Sequence, residues 1–166
     1  MIRPATPDDA QGVADIYNHY IDNTVVTFEE VRVTTEQMAQ RIQAVLDQEL
    51  IWLVAAEQGG LVGYAYASPW HARAAYRYSV EISAYLAPDA VGAGLGSKLY
   101  SALLQELKNT SIHSVIGGIA LPNAASVALH EKYGLQKAAH YKEVGYKFGQ
   151  WIDVGYWQML IDEQDK

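Results

Sequence analysis

Val80–Tyr100, V-E-I-S-A-Y-L-A-P-D-A-V-G-A-G-L-G-S-K-L-Y, reads as a strand, a stop, a glycine-rich loop and the start of a helix. The run V-E-I-S-A-Y-L is β-branched and aromatic, as a strand requires. Pro88 and Asp89 end it. Beyond Gly96 the apolar residues Leu99, Leu103, Leu104 and Leu107 fall at helical spacing. Gly92, Gly94 and Gly96 leave several backbone N–H groups unobstructed at the positive end of that helix, an arrangement suited to a diphosphate. By itself the loop also reads as a turn before a helix. It is not a nucleoside-triphosphate loop, because no G-K-[ST] follows, and G-x-G-x-G is not the dinucleotide spacing. Glu81 gives the stretch a second feature. A carboxylate in an apolar strand is costly to bury without a partner, and burial raises its pKa toward that of a working base.

Outward from this stretch the chain is ordinary in size and unusual in charge. Its 166 residues are half apolar and fit one domain, 1–166. The net charge of −7 argues against a nucleic-acid partner, which needs a basic face. The absence of cysteine excludes disulfides, thiolate nucleophiles and Cys-type zinc sites. No run reaches about 18 apolar residues, so no membrane span is expected. The expectation is a cytoplasmic protein with no metal.

Upstream, Met1–Ala5 reads as a strand. Thr6-Pro7 opens a first helix and Thr34 a second, each with acidic or amide residues in the first turn. I-W-L-V-A-A-E, Q-G-G and L-V-G-Y-A-Y-A-S form a hairpin. Downstream come the strand H-S-V-I-G-G-I-A and a helix from Asn123 to a C-terminal cap at Gly134. Two or three further strands follow, turning at Gly145 and Gly149. The order β-α-α-β-β-β-α-β-α-β-β implies an α+β (mixed α/β) fold with a largely antiparallel sheet.

With these residues in view, the chain resembles the GNAT superfamily of N-acetyltransferases. V-G-A-G-L-G matches the last two conserved positions of Q/R-x-x-G-x-G/A at Gly94 and Gly96, and Val91 departs from the Gln or Arg. The resemblance implies a twisted sheet of about seven strands, splayed in the middle and flanked by about four helices. It implies acetyl-CoA as co-substrate, with its diphosphate on Gly92, Ala93, Gly94, Leu95, Gly96 and Ser97. Backbone groups of Ala84, Tyr85 and Leu86 would hold the pantetheine and the thioester oxygen, and Asn123 would contact the pantetheine. Asn123 also reads as a plain helix cap. Glu81 is the implied base. His130 stands where many relatives carry a tyrosine that protonates the leaving thiolate, and it reads equally as a packed helix residue.

One branch is matched nearly end to end: the phosphinothricin and methionine sulfone/sulfoximine acetyltransferases. The match rests on T-F-E at 27–29, P-W-x-A-R-x-A-Y before V-E, and K-F-G-x-W-x-D-V-G-Y-W-Q. It implies that Arg73, Tyr76, Phe28 and Glu29 line a pocket for a small amine bearing an acidic group, with Arg73 as carboxylate clamp. It also implies a homodimer. Trp151, Tyr156 and Trp157 read as core and dimer surface rather than catalysis, and Tyr133 has no assigned role. Two other readings stay open: the same fold acting on a polyamine, aminoglycoside or protein N-terminus, and a non-catalytic acyl-CoA-binding module.

Overall fold

The computed structural model describes residues 1–57 and 59–162. Seven strands form one sheet in the order β1-β2-β3-β4-β5-β7-β6. They are β1 (Ile2–Pro4), β2 (Trp52–Glu57), β3 (Gly60–Pro69), β4 (Ser79–Leu86), β5 (Ser114–Leu121), β6 (Gln136–Lys147) and β7 (Gln150–Leu160). Every neighbouring pair is antiparallel except β4 with β5. Four helices accompany them: α1 (Ala10–Asn23), α2 (Thr35–Leu46), α3 (Leu95–Leu107) and α4 (Ala124–Lys132). The element order is the expected one, and no described helix is long and apolar enough to cross a membrane.

Strand alternation divides the core into two. Leu53, Ala65, Val80 and Ile82 point to one face, where Leu99, Leu103 and Leu107 of α3 cover them. Trp52, Val54 and Tyr64 point to the other, under Val13 and Tyr17 of α1 and Met38 and Ile42 of α2. α2 starts on a capping box: Gln37 N donates to Thr34 Oγ1 at 3.1 Å, and Gln37 Oε1 accepts from Thr34 N at 3.0 Å. The first helix begins later than its sequence suggests. Pro7–Asp9 is a 3-10 turn, and Asp9 is drawn aside to accept from Thr6 N and pair with Arg3 at 2.6 Å.

Two turn expectations fare differently. The Q-G-G turn includes Gln58, outside the described residues; Gly59 and Gly60 adopt φ of +120° and +136°. Gly149 turns the last hairpin at φ +72°, but Gly145 is not a turn. It is paired with Ile152 inside β6. The irregularity lies just before it, where the ladder skips from Tyr141 to Gly145. Glu143 there has φ +49° and gives its N–H to Asp153 at 2.8 Å. The last part of the chain is thus two long strands joined by one hairpin.

The feature that makes a site is a failure of pairing. β4 and β5 are joined only at Ser79–Ser114, Val80–Val115 and Glu81–Ile116. Beyond that point β4 continues on β3 and β5 on β7. The two strands part, and a wedge opens in the centre of the sheet.

Candidate active site

Backbone parity decides what faces the wedge. Ala87 N donates to Val62 O and Trp70 N to Ser79 O, which fixes the odd residues of β4 as those bonded to β3. The peptide groups of Ile82, Ala84 and Leu86 therefore turn toward the departing β5. The Leu86 carbonyl is met there by the Tyr20 hydroxyl at 2.7 Å, which leaves the N–H groups of Ala84 and Leu86 as donors in the wedge. Tyr85 differs: its backbone belongs to the β3 ladder opposite Tyr64, and its side chain lines the cleft on the α1 face.

The wedge leads to the N-terminus of α3. Gly92 and Gly94 hold φ of +91° and +76°, and open space surrounds the position of any Cβ on either. Gly94 is the helix cap and offers no side chain to the first-turn N–H groups. Val91 is 61% exposed and does not fill the loop. A cradle of free donors with no side chain over it, continuous with an open wedge, fits a diphosphate carrying a long acyl arm. Ser97 lies in the first turn and is held from α4. Lys132 Nζ donates to Ser97 Oγ at 2.6 Å, and the Tyr133 hydroxyl donates to Ser97 O at 2.5 Å. The sequence assigned Tyr133 nothing; only tertiary contact reveals it. Asn123 caps α4, its Oδ1 accepting from Ser126 N at 3.1 Å.

On the α1 face a cleft of about 290 Å³ opens beside the wedge, with Glu81, Tyr66, Ser83, Gly118, Tyr156 and Phe28 among its walls. Glu81 is half-buried, and burial raises its pKa with no cationic neighbour to lower it. Gly118 faces it from β5. Any Cβ there would stand 3.0 Å from Glu81 Oε1 and 3.0 Å from Tyr156 Cε1. Two adjacent glycines in a strand signal a close approach, and this one lay unread in V-I-G-G-I-A. Tyr156 departs from expectation. It is a cleft residue because the alternation of β7 buries Trp157 in the core, at 3% exposure, and turns Tyr156 to the other face.

The other anticipated residues are dispersed. His130 is buried with its ring against Gly117, at the apex of the wedge. Its Nδ1 donates to Ser126 O at 2.7 Å, so Nε2 accepts from the Tyr100 hydroxyl at 3.1 Å. Burial lowers the imidazole pKa. Phe28 reaches the Glu81 cleft, but Glu29 turns away, taking both guanidinium nitrogens of Arg41 at 2.7 Å and the Tyr17 hydroxyl. Arg73 precedes, and Tyr76 ends, a 3-10 turn after β3 (Ala74–Tyr76), and both line a separate cleft with His71 and Arg77. The structure does not bring them beside Glu81 within one chain.

Comparison with known proteins shows the family and the fold. Residues 2–155 match the acetyltransferase (GNAT) domain. A phosphinothricin N-acetyltransferase of Streptomyces viridochromogenes is 41% identical over 157 residues, covering 95% of this chain and 85% of that protein. An L-methionine sulfoximine/L-methionine sulfone acetyltransferase of Salmonella typhimurium is 35% identical over 165 residues, covering 98% and 95%. Among solved structures, a phosphinothricin acetyltransferase of Sinorhizobium meliloti in complex with acetyl-CoA superposes with a TM-score of 0.94 at 34% identity, covering 98% of this chain and 89% of that one.

Proposed function

We infer that this chain, which belongs to the GNAT family of acetyltransferases, transfers the acetyl group of acetyl-CoA to the amino group of a small amino-acid-like acceptor of the phosphinothricin or methionine sulfoximine type. The observation that carries the reading is the meeting of two spaces: the wedge between β4 and β5, and a cleft that holds one half-buried carboxylate, Glu81. The donors at residues 92–97 suit the diphosphate, and the N–H groups of Ala84 and Leu86 suit the pantetheine arm. When bound, the coenzyme supplies a thioester as acyl donor. The chain's own residues then do the rest. Glu81, its basicity raised by burial, takes the proton from the acceptor amine. For the leaving sulfur the proposed proton source is solvent reaching the open wedge, because the Tyr100 hydroxyl gives its proton to His130 Nε2 and His130 Nδ1 gives its own to Ser126 O.

The acceptor lies on the α1 face against Phe28, Tyr66 and Tyr156. Arg73 and Tyr76 line a separate cleft in this chain, so their proposed role toward the acceptor's acidic group is tested on its own. Arg73→Ala is expected to raise the acceptor KM for amino acids and to leave simple amines unaffected. A homodimer is proposed from the exposed apolar residues of the last hairpin: Tyr141, Val144, Tyr146, Phe148 and Trp151 are each 55–65% exposed. The whole chain is read as one domain working in the cytoplasm. Acetyl-CoA turnover across a panel of amines, wild type against Glu81→Gln, tests the function. Turnover with amino-acid acceptors that falls in the variant supports it, and no turnover with any amine overturns it.

A further inference from the structure

Between α1 and α2 the chain runs through residues 24–34 with neither helix nor strand, yet Thr27 is buried and Phe28 forms a wall of the Glu81 cleft. Such a segment needs external ties to hold a shape. Tyr17 supplies one, its hydroxyl 2.8 Å from Thr27 Oγ1. Asn18 supplies another at the far end, exchanging bonds of 2.8 and 2.9 Å with Val33.

Glu29 is tied to Arg41 and Arg32 to Asp22, and a further tie comes from the other end of the sequence and is chemically costly. Lys147 of β6 is 1% exposed. Its Nζ donates to Thr27 O at 2.9 Å, and among the described residues it makes no ion pair. Burial pulls its pKa down, against the opposing fields of Glu30, Asp22 and Glu29. Apart from the Phe148 ring, whose centroid lies 5.0 Å from Nζ, that carbonyl is what compensates the buried ammonium, and burying a cation without such a partner is unfavourable. Gly145 stands two residues earlier, on the same face of the strand, while Tyr146 between them points outward at 57% exposure. A Cβ on Gly145 would overlap the Phe28 ring. One face of β6 is thus shaped for two consecutive residues of the segment: a cation for the Thr27 carbonyl and a gap for the Phe28 ring.

We propose that Gly145 and Lys147 are positioning residues for the acceptor: they clamp Thr27 and Phe28 and so fix the wall that faces Glu81. The proposal rests on the reading of this cleft as the acceptor's side of the site. Neither residue touches the wedge or the glycine loop, so the clamp acts on acceptor binding and not on the coenzyme.

The test compares Lys147→Met, which keeps the chain length without the ammonium, with Gly145→Ala, which displaces the ring without changing charge. Four quantities are measured: amide hydrogen exchange of residues 24–34 in the free protein, acceptor KM, acceptor kcat, and the coenzyme A Kd by calorimetry. The clamp predicts exchange faster by about tenfold or more in that segment. It predicts acceptor KM raised about tenfold, with kcat at saturation and the coenzyme A Kd within about twofold of wild type. Unchanged exchange in both variants overturns it. So does an unchanged acceptor KM, or an equal loss of coenzyme affinity, which would mean general loosening. If Lys147→Met does not fold, Gly145→Ala decides alone. A wild type that acetylates no amino acid strikes the functional reading, and the exchange rates then judge the clamp by themselves.

Discussion

Gly118 and Glu81 face each other across the base of the cleft so closely that one methyl group on the glycine would stand 3.0 Å from the carboxylate oxygen. The same methyl would meet the Tyr156 ring. The backbone of β5 cannot retreat, because Gly118 is paired with Tyr156 across the ladder to β7. In Gly118→Ala the carboxylate is therefore pushed off its place. A base displaced by a few tenths of an ångström costs up to about 10-fold in rate. The expected result is a fall of that size in kcat/KM for the acceptor, with coenzyme A affinity unchanged in a direct binding measurement.

The proposed role of Glu81 as base carries a pH dependence. Its pKa is raised in the folded protein by burial, so the folded state holds its proton to higher pH than the unfolded chain. The rate should rise with pH through an apparent pKa above the ordinary glutamate value of about 4.3. Glu81→Gln removes that limb and lowers kcat by about 10²- to 10⁴-fold. Stability follows the opposite sign. Because the folded state binds more protons, wild type loses stability as pH rises from the unfolded pKa to the folded one. The variant should melt no lower than wild type at pH 7, and the two melting temperatures should converge in acid.

The glycine loop predicts a different separation. Gly94 holds φ +76° with nothing near a Cβ, so Gly94→Ala is strained by backbone conformation rather than by contact. The cost is about 1 kcal/mol of stability. The cradle loses its geometry at the same time, and the coenzyme A Kd rises while the acceptor KM holds. A melting curve and a titration together check it.

Arg41 restrains the acceptor segment through Glu29. Its two hydrogen bonds hold the Glu29 carboxyl below the usual glutamate range. That stability is present above the ordinary glutamate pKa and is lost as pH falls through the lower folded value. Both side chains are more than a third exposed, at 45% and 37%, so the pair is screened. Arg41→Gln should cost only about 0.5–1 kcal/mol at neutral pH. The difference from wild type should vanish in acid denaturation profiles.

The elements were legible because each carries its own periodicity and punctuation. Thr34 with Gln37, Asn123, Gly94 and Gly149 sit at positions where capping or a positive φ demands their residue type. Gly145 misled because a strand glycine and a turn glycine look alike in sequence. Only the Phe28 ring, more than 100 residues away, gives it a reason. The site was half legible. Glu81 stood out as a lone charge in an apolar strand, and the glycine loop as a row of missing side chains. Gly118, Tyr66, Tyr156 and Lys147 act through contacts between distant strands, which no local pattern records. Glu29 was legible as a charge, but its engagement with Arg41 was not.

The direct measurement is a crystal structure with coenzyme A and an amino-acid acceptor bound. The account predicts the diphosphate on the amides of residues 92–97, the pantetheine arm between β4 and β5, and the acceptor nitrogen in the cleft within reach of Glu81, directly or through one water. A coenzyme lying outside the wedge, or an acceptor bound with Glu81 turned away from its nitrogen, would contradict it.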